Sequence, residues 1–161
     1  MWIDRALRRS SLSCVVALAL SVIPVSGGAV PPKPGVSLAE VASRIDPAKT
    51  RLTNLTELLR SDAEAELLAI DWGKLRRRYA VSAALVRLDS TSTGERTLAA
   101  ACTVSASVRD ADTGKLLFLV EGKARAEDAS TAGARAERDA LSAAVRGAIT
   151  AVPEGLRRSS P

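Results

Sequence analysis

The run Leu98-Ala-Ala-Ala-Cys-Thr-Val-Ser-Ala-Ser-Val108 sets Leu98, Ala100, Cys102, Val104, Ala106 and Val108 on one side of the chain. Thr97, Thr103, Ser105 and Ser107 fall on the other. Successive side chains of a strand point to opposite faces, so this period of two predicts a strand from Arg96 to Val108 with one buried face. Asp110-Ala-Asp-Thr-Gly114 follows, and Asp and Gly tolerate the backbone angles of a tight reversal. Lys115 to about Ala126 then reads as a returning strand whose Leu116-Leu-Phe-Leu-Val120 segment is apolar on both faces. Upstream, Tyr79 to Leu88 is apolar and carries Val81, Leu85 and Val86, which favour strand, with Ser90 to Gly94 as the connecting loop.

Helices flank this meander. Leu55, Leu58, Leu59, Ala63, Leu67 and Ile70 share one face of a helix over 54–70, and Asn54 with Glu57 has capping-box spacing. Asp71-Trp-Gly73 ends it. A second helix spans about 132–152, with Leu141, Val145, Ala148, Ile149 and Val152 at helical spacing and Pro153 as its stop. The pattern predicts an α+β fold: a three-stranded antiparallel meander packed against an N-terminal and a C-terminal helix, as a single domain over 50–153. Residues 30–49 read as a proline-rich arm with a short helical turn over 37–44, and residues 154–161 as a disordered tail. In a meander the middle strand is central, yet here the third strand is the one apolar on both sides. Something should cover it, and an additional strand from residues 45–53, the N-terminal arm or another molecule are the candidates.

The first 29 residues read as a secretory signal peptide. Arg5, Arg8 and Arg9 precede an apolar stretch over 12–25, and the small residues Ser26, Gly27, Gly28 and Ala29 suit signal peptidase. Pro24 and the paired glycines leave that stretch short of the ~18 unbroken apolar residues a membrane span needs. Cys14 lies at the beginning of the apolar stretch and not after it, where a lipoprotein cysteine belongs. The reading puts the working protein in the periplasm or outside the cell, with no transmembrane span after processing. Removing Arg5, Arg8, Arg9 and Asp4 with the leader lowers the formal charge from +5 to +3, which gives little support to a nucleic-acid partner.

The 161 residues contain no histidine, so Ser-His and Cys-His nucleophile pairs cannot be assembled and the commonest metal ligand is missing. No phosphate-cradling glycine loop, Gly-x-Ser-x-Gly or Cys-x-x-Cys occurs. No catalytic, cofactor-binding or metal-binding residue is assigned, and the chain is read as not an enzyme. Glu64 with Glu66 and Glu127 with Asp128 could form carboxylate pairs, but aromatics make up only 2% of the chain, a poor supply of sugar-binding platforms. Cys102 falls in phase with the buried residues; packing in the core is expected, with an intermolecular disulfide as the rival. The densest charge cluster is Lys74, Arg76, Arg77 and Arg78, flanked by Trp72 and Tyr79. It serves either as a solvated connector or as a contact for an anionic surface such as lipid headgroups or polysaccharide.

Val81-Ser-Ala-Ala-Leu-Val-Arg-Leu88 and Cys102-Thr-Val-Ser-Ala-Ser-Val-Arg-Asp-Ala-Asp-Thr-Gly-Lys-Leu-Leu-Phe-Leu-Val-Glu-Gly122 resemble a strand, strand, Asp-x-x-Thr-Gly turn, strand layout. That layout belongs to the periplasmic domain family of curli secretion channel subunits and outer-membrane lipoprotein activators of penicillin-binding proteins. The chain is also similar to uncharacterised exported proteins of Gram-negative bacteria. The resemblance implies this fold, an envelope location and an accessory role: a non-catalytic module binding a cell-envelope protein. Independently of the resemblance, a homo-oligomer is open to the chain.

Overall fold

The computed structural model describes residues 35–159; the leader assigned to residues 1–29 lies outside them. Four strands form one sheet in the order β1-β2-β3-β4, with β1 Val36–Ser43, β2 Tyr79–Ser92, β3 Thr97–Asp110 and β4 Leu116–Ala129. The last three are the expected antiparallel meander. The sheet therefore has four strands, not three, and the extra one is not at 45–53. It is β1, which runs parallel to β2 with Val36 opposite Tyr79 and Ser43 opposite Leu85. Residues 37–44 are strand and not a helical turn, and the domain begins well before residue 50. Asp46 caps a single 3-10 turn at Pro47–Lys49 where the extra strand was sought.

The helix α1, Leu55–Ala69, links β1 to β2 and buries Leu55, Leu59, Ala63 and Leu67. It starts without a capping box. Asn54 takes φ 57°, a left-handed conformation in which its side chain makes no cap bond, and its carbonyl instead accepts from the N–H groups of Glu57 and Leu58. A side-chain cap needs extended angles at that residue. At the other end the indole N–H of Trp72 donates to the Leu67 carbonyl at 2.9 Å, and Gly73 turns the chain at φ 56°. The helix α2, Gly133–Thr150, crosses β3 and β4 beside α1. Arg138 with Asp62 and Arg146 with Glu66, the latter at 3.0 Å, bridge the two helices.

Pro153 interrupts the chain but does not end the helical structure. A third helix, α3 at Val152–Ser159, starts at once with Pro153 in its first turn, where a missing N–H costs nothing. Val152 and Leu156 are buried, so the expected tail is part of the packing.

All three helices lie on one face of the sheet. Their core partners are the in-phase residues predicted for β3, each nearly or fully buried, together with Val81, Ala83 and Leu85 of β2. Few of these side chains are large, and backbones approach closely. A Cβ built on Gly122 of β4 would stand 1.9 Å from the carbonyl oxygen of Ala144 and 2.4 Å from the amide of Ala148, both in α2. By contrast, a Cβ on Gly147 meets nothing nearer than 3.6 Å. We therefore expect Gly122→Ala to lower the unfolding free energy by about 1–3 kcal/mol through overpacking. Gly147→Ala, which removes a glycine from inside a helix, should raise it by up to about 1 kcal/mol. Urea denaturation of the two variants checks the pair.

Candidate functional site

The basic cluster sits on the connector between α1 and β2, and the structure divides it. Arg77 lies 3.7 Å from Asp110 and Arg78 pairs with Asp112, so both guanidiniums brace the turn between β3 and β4. That turn is built as its sequence suggests. Asp110 accepts from the backbone N–H groups of Thr113 and Asp112 and from the Thr113 hydroxyl, and Gly114 completes the reversal at φ 70°. The Thr113 N–H is the main cause that holds the Asp110 carboxyl below its ordinary range, outweighing its partial burial; the Thr113 hydroxyl, the Asp112 N–H and Arg77 add to it. Lys74 and Arg76 make no ion pair among the described residues. With Arg77, Tyr79, Leu117 and Leu156 they line an open cavity of about 390 Å³. Trp72 and Tyr79, the flanking aromatics, act as anchors: Tyr79 is buried, and Trp72 packs against the core.

The sheet face away from the helices carries no cover among the described residues. Ser82 pairs with Ser107, and Ala84 with Ser105, across β2 and β3. These small side chains floor a trough of about 420 Å³, walled by Val86, Leu116, Leu119, Glu40, Arg44 and Arg109. Leu119 is 56% exposed and Leu116 48%. Further along β4, Glu121 with Lys123 and Arg125 with Glu127 form ion pairs of 3.0 and 2.8 Å.

The carboxylates considered as catalytic pairs do not converge. Glu64 pairs with Arg60 and Glu66 with Arg146, while Glu127 pairs with Arg125 and Asp128 faces Arg135 at 3.9 Å. No group of three or more Cys, Asp or Glu side chains able to hold a metal ion occurs among the described residues. A wide depression of about 960 Å³ is open and is lined by Ser43, Ile45, Pro47 and residues 50–57 around the start of α1. Cys102 is buried in the core as a free thiol, and burial pushes its pKa up to about 12, so it stays protonated and poorly nucleophilic.

The residue that sequence reasoning missed is Glu137, 1% exposed on α2. One carboxylate oxygen accepts from the Thr50 hydroxyl at 2.7 Å and the Arg51 N–H at 2.8 Å. The other accepts from the Ser90 hydroxyl at 2.8 Å and the Arg51 guanidinium at 3.1 Å. Burial raises its pKa, and the bonds from Thr50, Ser90 and Arg51 outweigh that, so the carboxyl titrates below its usual range. With all its acceptors occupied by the protein, it clamps the loop before α1 to α2 and β2.

Comparison with protein-family models and with curated protein sequences finds no match. Solved structures do match. A Xanthomonas campestris protein described as belonging to family DUF330 is 16% identical, with a TM-score of 0.51, covering 78% of this chain and 84% of that one. The fold is shared. A minor lipoprotein from Acinetobacter baumannii is 11% identical with a TM-score of 0.46, covering 71% of this chain and 93% of that one. PelC from Paraburkholderia phytofirmans, a dodecamer, is 16% identical with a TM-score of 0.44, covering 73% and 86%. No helix among the described residues is long and apolar enough to cross a membrane.

A folded-state pKa below the unfolded one stabilises the protein above the ordinary glutamate range, about pH 4.3, and that stabilisation is lost as pH falls through the lowered value. Glu137→Gln should cost about 2 kcal/mol near neutrality, because donors are left poorly paired. It should also flatten the acid limb of the stability profile. Urea midpoints of both proteins between neutral pH and the acid transition check this.

Proposed function

We propose that the chain is a non-catalytic module of the bacterial cell envelope, periplasmic or extracellular once residues 1–29 are removed, that binds another envelope protein. The observation that carries this reading is the uncovered trough. A sheet that packs one face against helices and on the other leaves exposed leucines, with Glu40, Arg44 and Arg109, around a floor of serine and alanine has a surface suited to a partly apolar protein segment. The absence of histidine and the pairing of the acidic side chains with arginines support the non-catalytic part. The arginines behind the first residues and the apolar stretch after them support export. The resemblance of Val81–Leu88 and Cys102–Gly122 to the family of curli channel subunits and penicillin-binding-protein activators points the same way, toward an accessory of a larger envelope assembly.

A photoreactive side chain replacing Leu119 should crosslink in intact cells to one discrete envelope protein, and the same group replacing Arg60 on α1 should not. Ser107→Arg should fill the trough and cut the adduct about tenfold or more while changing stability by no more than about 0.5 kcal/mol, as surface substitutions do. Recovery of free monomer alone from the Leu119 position would reject the reading.

A second reading rests on Lys74 and Arg76, which the internal carboxylates leave unpaired beside an open cavity. In it the cluster contacts anionic lipid or polysaccharide. It predicts that the chain sediments with phosphatidylglycerol vesicles at low salt, that salt releases it, and that Lys74→Ala with Arg76→Ala abolishes binding. Arg78→Ala, which removes a turn brace, should leave binding nearly intact.

A further inference from the structure

The sheet has two edges, and they are finished differently. The β4 edge carries Glu121, Lys123, Arg125 and Glu127 at alternate positions, the charge pattern that discourages another strand from pairing there. The β1 edge, Val36-Ser-Leu-Ala-Glu-Val-Ala-Ser43, has a single charge, Glu40, and no strand lies beyond it among the described residues. Beside this edge runs a groove of about 390 Å³ between β1 and α1, lined by Val36, Leu38, Leu67, Leu68, Trp72 and Glu64, with Ser37. Leu68 is 86% exposed, the most exposed large apolar side chain among the described residues, on a helix whose neighbouring Leu67 is buried. An unpaired strand edge next to an apolar groove under a helix offers main-chain hydrogen bonds and, on one side, pockets for every second side chain of an added strand.

We propose that this edge and groove take an extended peptide of a partner protein as a fifth strand, with aliphatic side chains at alternate positions and basic ones between them. The aliphatic residues enter the groove against Val36, Leu38 and Leu68. The charge preference follows from Glu40, the one charge on the strand, which lies on the sheet face away from the groove, where the residues between the aliphatic ones would point. Despite a register irregularity between Leu38 and Val41, β1 stays paired with β2 as far as Ser43, so its outer edge runs the length of the strand, and the groove flanks the Val36–Leu38 end. The groove shares no lining residue with the trough, although Glu40 of the same strand borders the trough, and failure of the groove leaves the trough reading standing.

The probe is a blocked Val-Lys-Val-Lys-Val-Lys-Val peptide, titrated against the chain as exported and followed by amide chemical shifts. Shifts should centre on Val36–Ser43 and on Leu68. Leu68→Ser, at a position too exposed to affect folding, should weaken binding about tenfold or more, the worth of one buried leucine. Ser107→Arg should leave it unchanged. Of two peptides N-methylated on alternate residues, only the one that loses the N–H groups facing β1 should fail to bind. Equal binding of both methylated peptides, equal binding of the Val-Glu counterpart, or shifts centred on Val86 and Leu119 would each overturn the proposal. So would a dimer of the chain alone that Leu68→Ser dissolves, since a second copy would then be the occupant.

Discussion

The contact that organises this molecule is the seating of α2 on the sheet at Gly122. Glycine there, with Ala144 and Ala148 above it, lets helix and strand backbones meet at a distance no side chain would allow. Dispersion rewards such proximity along the whole length of the two elements, so a core of alanine, valine and leucine reaches close packing without large rings. This accounts for how a chain with 2% aromatic residues builds a continuous core. α1 and α3 join α2 in the same core, on the side of the sheet away from the trough.

Much of this was legible in the sequence. The alternation through β3, the Asp-x-x-Thr-Gly reversal after it and the apolar stripes of α1 and α2 are local patterns whose periods survive folding unaltered. Three features were not legible, for different reasons. In β1 the register shifts between Leu38 and Val41, and the extra residue turns a period of two into apolar spacings of two and then three, which reads as a helical turn. Asn54 has the right neighbours for a capping box but takes a left-handed conformation, a choice made by the loop it closes and invisible in its spacing to Glu57. Pro153 does interrupt α2, yet a proline in a first turn begins a helix as readily as it ends one, and only the packing of Val152 and Leu156 shows which happened.

The surface features divide along the same line. Four basic residues in a row of five were evident, but Asp110 and Asp112, which occupy two of them, lie more than thirty positions downstream, and only the antiparallel pairing of β2 with β3 brings them across. Glu137 sits among Arg135, Arg138 and Asp139 and looks like part of a solvated helix face. Its donors come from 47, 86 and 87 residues away. Long-range complementarity of this kind leaves no trace in local spacing. The groove beside β1 was hidden for a simpler reason, since its strand was itself unread.

The parallel placement of β1 has a kinetic consequence. β2, β3 and β4 are joined by short reversals and can pair as soon as they exist, whereas β1 must wait for α1 and the connector to close a crossover before Val36 can find Tyr79. Synthesis delivers β1 before any of its partners. The segment that leads the domain out of the ribosome thus waits longest between its own synthesis and that of a hydrogen-bonding neighbour, with Val36, Leu38 and Val41 uncovered meanwhile.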